Sequence, residues 1–323
     1  MTDFDVLGIG NALVDVLAQI SDEQLAQLEL EKGSMTLVDP ARAAAIYGAI
    51  GPTIESSGGS AANTIVGIAQ GGHSAAFVGR VCADELGAVF AHDLAACGVS
   101  FLGAPAADGP PTGRCYVLVT PDGERTMATS LGASSHFAIR DLEAIDFTGI
   151  AFLYLEGYLW DLDDAKHAFR TAARRARAAG AKVVFTLSDR FCVERHHVEF
   201  EDFISEHVDI LFANIDEASA MVGSTDLDAI AIGMAQLVSH VVVTRSADGC
   251  MIVEGTEVAY FPAVPVAAVI DTTGAGDAFA AGYLGALLAE LGPAERAMRG
   301  SAQASRVITH LGARELAGTP RTS

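Results

Sequence analysis

The residues best suited to chemistry lie in the segment DTTGAGD at positions 271–277, directly before a run of small and apolar residues. Glycines ahead of a helix let consecutive backbone N–H groups point at one spot, and the helix dipole adds positive potential there. The N–H groups of Gly274, Ala275 and Gly276 are therefore predicted to form an anion hole that suits a phosphoryl group. The alternative is a tight turn in which Asp277 is only a favourably charged capping residue.

A second glycine pair, Gly58 and Gly59, opens another predicted helix in the segment GGSAAN. Its alternative is an ordinary strand-to-helix turn with Ser60 as the N-cap. The predicted helical run begins at Asn63, so this is the second segment in which glycines precede a helix.

Asn214 and Glu217 follow an apolar run and stand three positions apart, on one face of a helical start. The alternative for this pair is a capping box, with Asn214 as the N-cap and Glu217 at the third helical position. A fourth polar segment, GNALVD at positions 10–15, follows the first apolar run of the chain.

Short apolar runs that alternate with helical stretches position these four segments. Runs without polar alternation are typical of parallel strands covered on both faces. They fall at 5–9, 75–79, 151–155, 182–187, 208–212 and 240–244, and the helical stretches at 63–70, 85–96, 165–179 and 230–237. This order predicts an α/β fold with a doubly wound, mainly parallel sheet and helices on both faces.

Two stretches interrupt the alternation. Residues 17–53 contain a short acidic helix and a strand at 34–38. Residues 99–133 contain two strand runs on either side of the turn Pro121-Asp122-Gly123, which predicts a hairpin. Together they are predicted to form a small β-sheet lid over the ligand-binding edge. The predicted division is a large α/β domain of 1–16, 54–98 and 134–318, the lid of 17–53 and 99–133, and a tail of 319–323.

In this order and on this pattern, the four segments resemble the ribokinase-like (PfkB) family of carbohydrate and nucleoside kinases. The resemblance extends from Leu7 to about Gly312 and includes the lid stretch GERTM at 123–127 and LGA at 131–133. Within the family, GNALVD at 10–15 and TLS at 186–188 are most similar to the adenosine kinase branch. The resemblance implies a phosphotransferase that uses ATP.

The resemblance assigns catalytic roles to five residues. Asp277 matches the base that takes the proton of the acceptor hydroxyl, and a carboxylate with an ordinary pKa near 4 is ionised at neutral pH. The amides of Gly274, Ala275 and Gly276 match the anion hole. Arg125 is similar to a lid arginine that reaches the phosphates when the lid closes.

The resemblance also places the acceptor beside a set of hydrogen-bonding residues. The substrate-binding residues that it implies are Asn11, Leu13, Asp15, Gly58, Gly59, Ser60, Asn63 and Leu131. Asp15 is the candidate for accepting both hydroxyls of a vicinal diol. A nucleoside needs an apolar slot for its base, for which the candidates are Leu13, Met35, Leu131, Tyr158 and Phe191; the alternative for each is ordinary core or lid packing.

Nucleotide and metal positions follow from the same resemblance. The nucleotide-binding residues are Asn214, Thr244, Ser246, Gly249, Gly274 and Gly276. Asn214 and Glu217 match a motif that organises Mg²⁺, partly through water because Mg²⁺ holds its waters tightly. Asp271 and Thr273 match positions that bind a monovalent cation, K⁺, in several relatives. Ser246 stands where the family has a glycine.

Composition narrows the possible partners. The chain has 323 residues and a formal net charge of −21, which disfavours nucleic acid and anionic membranes as partners. Its five cysteines form no C-x-x-C pair, and residues 278–288 are shorter than the roughly 20 residues of a membrane span. We expect a cytoplasmic protein without a signal peptide, a monomer or homodimer, whose partners are small molecules.

The function predicted from these observations is ATP-dependent phosphorylation of the 5′-hydroxyl of a nucleoside, with adenosine as the favoured acceptor and AMP as the product. A sugar kinase acting on ribose, fructose or a similar sugar is the alternative, and a non-catalytic ligand sensor has no need of Asp277. A dinucleotide site at Gly8-Ile9-Gly10 lacks its third glycine, since Leu13 stands there. The sequence has no G-x-S-x-G nucleophile motif, and the pair at 196–197 is interpreted as solvated histidines.

Overall fold

A computed structural model describes residues 4–314. Its strands are β1 (Val6–Ile9), β2 (Leu13–Gln19), β3 (Met35–Leu37), β4 (Ile54–Gly58), β5 (Ala75–Val78), β6 (Val99–Phe101), β7 (Thr112–Val119), β8 (Arg125–Gly132), β9 (Phe152–Glu156), β10 (Lys182–Thr186), β11 (Ile210–Asn214), β12 (His240–Thr244), β13 (Cys250–Glu254) and β14 (Glu257–Phe261). Its α-helices are α1 (Asp22–Gln27), α2 (Pro40–Ala49), α3 (Ser60–Gln70), α4 (Glu85–Ala96), α5 (Asp163–Ala178), α6 (Arg190–His207), α7 (Ile215–Val222), α8 (Leu227–Leu237), α9 (Ala275–Leu288) and α10 (Pro293–Val307).

The large sheet has nine strands in the order β14-β13-β12-β11-β10-β9-β1-β5-β6. The run from β6 to β12 is parallel, and β13 and β14 add an antiparallel edge. The central strands are buried on both faces, which explains why their sequences are apolar without alternation. The predicted doubly wound α/β class is confirmed.

Helices cover both faces of the large sheet. One face packs on α5, α6, α7 and α8, with Phe169 and Phe203 in its core. The other packs on α3, α4, α9 and α10, with Phe90 and Phe279 in its core. In α5 five of the six alanines are buried and the arginines are half-buried or exposed, as its sequence pattern predicts. Among the described helices, none combines the length and apolar character that a membrane crossing requires.

The small sheet has five strands in the order β3-β8-β7-β2-β4. Its outer face packs against α1 and α2, with Val16, Leu25 and Tyr116 buried there. Its inner face presents a second apolar group that includes Leu13 and Val117. The predicted hairpin is present, because β7 and β8 pair in antiparallel fashion across the turn, where Gly123 has φ +82°.

The strand pairing differs from the predicted division of the chain at three places. The first segment of the lid was predicted as 17–53, but β2 and β4 both pair in the small sheet. This segment of the small sheet therefore extends from Leu13 to Gly58. The short strand β6, predicted as part of the lid, pairs with β5 in the large sheet. Only residues 10–12 separate β1 from β2, so the chain passes between the two sheets without any change in composition that would mark the boundary.

Candidate active site

A cavity of about 260 Å³ lies where the small sheet covers the carboxyl ends of the parallel strands. Asn11 follows β1, while Glu156, Thr186, Asn214 and Thr244 end β9, β10, β11 and β12, and all five line this cavity. Ligands of open α/β sheets bind outside the carboxyl ends of the strands, because the helix N-termini converge there. The cavity is therefore the candidate active site.

The glycine segment before α9 forms one wall of this cavity. Gly274 is the N-cap of the helix with φ +74°, and a Cβ on it would lie 2.6 Å from the Cβ of Ala313. The N–H groups of Gly274 and Gly276 make no hydrogen bond within the described residues, whereas that of Ala275 donates to the carbonyl of Thr272 at 3.2 Å. Two of the three predicted anion-hole amides are thus available to a ligand, and the third is engaged in the turn.

Asp277 is the third residue of α9, and in the described part of the chain its carboxylate binds residues of α3 rather than the start of its own helix. Its Oδ1 accepts from the hydroxyl of Ser60 at 2.7 Å and its Oδ2 from Nδ2 of Asn63 at 3.1 Å. Burial raises the pKa of Asp277 above its ordinary value, and these two hydrogen bonds oppose that rise. The prediction of an ordinary pKa near 4 for Asp277 is therefore wrong. Ser60 is not the N-cap of α3 either, because Gly59 occupies that position and the Ser60 hydroxyl donates to Asp277.

Asp15 is a buried carboxylate on β2 of the small sheet, and it lines the cavity. Burial raises its pKa to about 7; Arg314 lowers it and Asp277 raises it further. A Cβ on Gly58 would lie 2.2 Å from the carboxyl carbon of Asp15, so glycine is required beside it. Gly59, with φ +97°, allows the chain to turn from β4 into α3.

Asn11 and Glu156 form the floor of the cavity. Oε1 of Glu156 accepts from the backbone N–H and the side-chain Nδ2 of Asn11 at 2.7 and 2.9 Å, and Oε2 accepts from the N–H of Ala61 at 2.6 Å. Oδ1 of Asn11 is buried and has no hydrogen-bond partner within residues 4–314. It is therefore an acceptor that a ligand hydroxyl can satisfy.

Glu156 itself was missed by sequence reasoning. It is fully buried, and burial raises its pKa to about 7 in spite of the hydrogen bonds from Asn11 and Ala61. The one available signal is a glutamate that ends the apolar strand FLYLE.

The inner face of the small sheet gives the cavity an apolar wall. Of the predicted slot residues, Leu13, Met35, Leu131 and Tyr158 line the cavity. Phe191 does not, because its side chain is 55% exposed on the first turn of α6. The wall also contains residues that sequence reasoning missed: Leu37, Cys115, Val117, Met127 and Thr129. The i, i+2 spacing of Cys115 and Val117 on β7 is the signal that could have found them.

The residues predicted to bind the nucleotide and magnesium divide into two groups. Asn214 and Glu217 line the cavity and form the capping box of α7, with both Glu217 oxygens accepting from Asn214. Thr244 lines the cavity as well, whereas Ser246 and Gly249 lie in the turn between β12 and β13 and do not. Ser246 has φ +51°, the left-handed region that a glycine would enter at lower cost.

Burial raises the pKa of Glu217 to about 8. Asp271 does not line the cavity: its Oδ1 accepts from the N–H and hydroxyl of Thr273, and its Oδ2 accepts from the N–H of Gly312 at 2.8 Å. These contacts tie the turn before α9 to the segment after α10. In the part of the chain that the structure describes, no group of three or more histidine, cysteine, aspartate or glutamate residues could hold a metal ion.

Two arginines flank Asp277. Nη1 of Arg125, on β8, donates to the hydroxyl of Thr272 at 3.0 Å, next to the glycine segment. Nε of Arg314, which sequence reasoning missed, donates to Oδ1 of Asn63 at 2.8 Å. Both positive charges lower the pKa of Asp277.

The histidine pair lies in α6. His196 contacts Asp161 at 2.7 Å, and His197 contacts the carbonyl of Met221 at 2.8 Å, so neither is a free solvated side chain as predicted.

Comparison with known proteins gives consistent similarities. Residues 52–320 match the model of the pfkB family carbohydrate kinases. The chain is 26% identical over 333 residues to adenosine kinase 1 of Arabidopsis thaliana, with 95% of each chain covered. It is 41% identical to two solved structures, each with a TM-score of 0.93: an adenosine kinase from Sinorhizobium meliloti, with 98% of this chain and 97% of that chain covered, and a probable sugar kinase from Rhizobium etli, with 97% and 96% covered.

Proposed function

The chain belongs to the pfkB family of carbohydrate kinases and is a phosphotransferase with an alcohol acceptor, and we propose that it transfers the γ-phosphoryl group of ATP to the 5′-hydroxyl of a nucleoside, with adenosine as the favoured acceptor. The observation that carries the proposal is the two-sided character of one cavity. Asn11, Asp15 and Asn63 offer hydrogen bonds to hydroxyls, while Leu13 and Val117 belong to an apolar wall.

The polar side suits a ribose ring. The ionised carboxylate of Asp15 accepts from two neighbouring hydroxyls, and the unpartnered Oδ1 of Asn11 accepts from one. A small sugar, whose surface is mostly hydroxyl, has no apolar group to pack against the apolar side. A purine base packs its faces against such a wall, and their burial is favourable by about 25 cal/mol per Å².

The chemistry follows from the residues at the start of α9. Asp277 accepts the proton of the attacking hydroxyl, and burial makes this carboxylate a stronger base than an exposed aspartate. The free N–H groups of Gly274 and Gly276 face the charge that develops on the transferring phosphoryl group. Arg125 adds a positive charge from the lid, which also excludes water from the reaction.

Magnesium fits beside Asn214 and Glu217 only through water. Both Glu217 oxygens already accept from Asn214, but each retains a lone pair for a water of a hydrated ion. A cation nearby would favour the ionised form of this buried acid. Bound Mg²⁺ neutralises charge on the phosphates of ATP.

The monovalent cation fits less well at Asp271 and Thr273. Oδ1 of Asp271 accepts two hydrogen bonds, from the N–H and the hydroxyl of Thr273, and Oδ2 accepts one from the N–H of Gly312, so only Oδ2 retains a lone pair for a cation. The transfer as we propose it requires no such ion.

A sugar kinase is the second candidate. A relative at 41% identity is described as a probable sugar kinase, and the polar side of the cavity accommodates any vicinal diol. The two candidates differ in one respect: only a nucleoside makes use of the apolar wall.

A matched pair of valine substitutions tests this difference. Val117 and Val16 are each 1% exposed in the small sheet; Val117 faces the cavity and Val16 faces the outer core. Val117→Thr buries a hydroxyl against the base, at a cost of about 1–3 kcal/mol. We expect kcat/KM for adenosine to fall roughly tenfold while that for ribose stays unchanged.

Val16→Thr is the control for lost stability, and it should leave both values of kcat/KM unchanged. Equal losses for adenosine and ribose in Val117→Thr would remove the support for a nucleoside. In that event the sugar-kinase candidate takes its place, with inosine and fructose as the next acceptors to be measured.

A further inference from the structure

Arg314 reaches the acceptor side of the cavity from the segment that follows α10. Its Nε donates to Oδ1 of Asn63 at 2.8 Å, and its Nη1 donates to the hydroxyl of Ser57 at 2.5 Å. Ser57 lies on β4 of the small sheet and Asn63 on α3 of the large domain. The guanidinium therefore joins the two parts of the molecule at the edge of the site, without lining the cavity itself.

The contact with Arg314 fixes the orientation of the Asn63 amide. Since Oδ1 of Asn63 accepts from the guanidinium, its Nδ2 is turned toward Oδ2 of Asp277, to which it donates at 3.1 Å. A rotated amide would place its oxygen against the carboxylate and its NH₂ group against the guanidinium, and both contacts would be repulsive. Arg314 thus determines which group Asn63 presents to Asp277.

Arg314 also supplies positive charge to a site that is rich in buried acids. Burial raises the pKa of both Asp15 and Asp277, and the charge of Arg314 lowers both. Its Nη2 is buried and makes no hydrogen bond to any described residue, so this group remains able to donate to a ligand or a water. The other ionisable groups that act on Arg314, Asp15 or Asp277, or on which Asp15 or Asp277 acts, are Asp93, Cys97, Cys115, Arg125, Tyr154, Glu156, Tyr158 and Glu217.

We propose that Arg314 is a positioning residue of the acceptor site, which turns the amide of Asn63 toward Asp277 and keeps Asp15 and Asp277 ionised. This inference rests on the proposed acceptor site, but not on which alcohol enters it. The role differs from that of Arg125, which lies on the lid and contacts the glycine segment. A guanidinium suits it because one planar group bonds in two directions and stays charged when buried.

The first test is the pH profile of kcat/KM with any acceptor that the wild-type enzyme phosphorylates. Arg314→Gln removes the charge, so the acid limb should move to higher pH by about one unit. Arg314→Lys keeps the charge but not both hydrogen bonds, so its acid limb should stay in place while kcat/KM falls roughly tenfold. An acid limb that moves equally in both variants, or in neither, overturns the proposal.

The control is Arg175→Gln. The guanidinium of Arg175 donates to the carbonyls of Leu142 and Ile145, at 2.7 and 2.6 Å, and pairs with no carboxylate across the site. Its loss should lower stability without shifting the pH profile. A shift in Arg175→Gln as large as that in Arg314→Gln would show that the change is a general effect of destabilisation.

The second test needs no substrate, so it remains valid if the proposed function fails. Asp15 and Asp277 have raised pKa values in the folded protein, so the stability that their protonated forms provide is lost as pH rises toward those values. Without Arg314 those pKa values rise further. Arg314→Gln should therefore lower the urea midpoint more at pH 8 than at pH 5.5, whereas Arg175→Gln should lower it equally. An equal loss at the two pH values in Arg314→Gln contradicts the charge role.

Discussion

Replacing Asp277 by asparagine removes the proton acceptor of the proposed reaction while keeping the shape of the site. The carboxylate now accepts from Ser60 and Asn63. The oxygen of an asparagine amide can accept from Asn63, and its NH₂ group can donate to the hydroxyl of Ser60, which accepts as well as it donates. The variant should therefore fold and bind ATP as the wild type does.

The expected loss appears in kcat. Removal of a general base typically costs 10²–10⁴-fold, which is about 3–5 kcal/mol because each tenfold step in rate is 1.36 kcal/mol. The loss should fall toward the upper end of that range, since burial makes Asp277 a stronger base than an exposed aspartate. The KM for ATP should change little, because the amides of Gly274 and Gly276 are untouched.

Steady-state release of ADP measures this loss, with thermal unfolding and calorimetric ATP binding as checks on the fold. Asp226→Asn is the control. Asp226 caps α8 by accepting from the N–H of Ala229 at 2.9 Å, and asparagine caps a helix equally well. If Asp277→Asn keeps kcat within tenfold of the wild type, as Asp226→Asn should, Asp277 is a structural residue and the proposed mechanism is wrong.

Three further predictions concern other parts of the site. Only the ionised form of Asp15 accepts two hydroxyls, and burial raises its pKa to about 7, so kcat/KM should fall as pH drops below about 7. Asp15→Asn should raise the acceptor KM without weakening ATP binding and should remove the contribution of Asp15 to that fall, which leaves only the contribution of Asp277. Gly274→Ala should lower the free energy of unfolding by at least about 1 kcal/mol, whereas Gly276→Ala, whose Cβ meets open space, should not; urea titrations compare the two. Arg125→Ala should lower kcat while changing KM less. Adenosine should slow hydrogen exchange in residues 114–129 of the wild type more than ribose does, and equal protection by both ligands would contradict a lid that closes on a base.

Strands buried on both faces were the most predictable part of the fold. Apolar runs such as those at 75–78 and 240–244 are continuous, and the structure places them inside the large sheet. The edge strands β13 and β14 were not predicted. In β14 all five residues are exposed or half-buried, and one glutamate is followed by four apolar residues, so its sequence carries no period of two.

The site was predictable where its residues are neighbours in the sequence. The capping box of Asn214 and Glu217 and the N-terminal position of Gly274 depend on local geometry alone. Glu156 and Arg314 were missed because their partners are distant: Glu156 binds Asn11 across 145 positions and Arg314 binds Asn63 across 251. Such pairs depend on the order of strands in the sheet, which no local pattern encodes.

The assignment of a nucleoside as the acceptor depends on the apolar wall, and a direct comparison of kcat/KM for adenosine and ribose with saturating ATP tests it. Burial of a base against Val117 and its neighbours is favourable by about 3 kcal/mol, so adenosine should exceed ribose by at least about 100-fold. Ribose phosphorylated as efficiently as adenosine, or more so, would contradict the nucleoside assignment and leave the cavity as a sugar site.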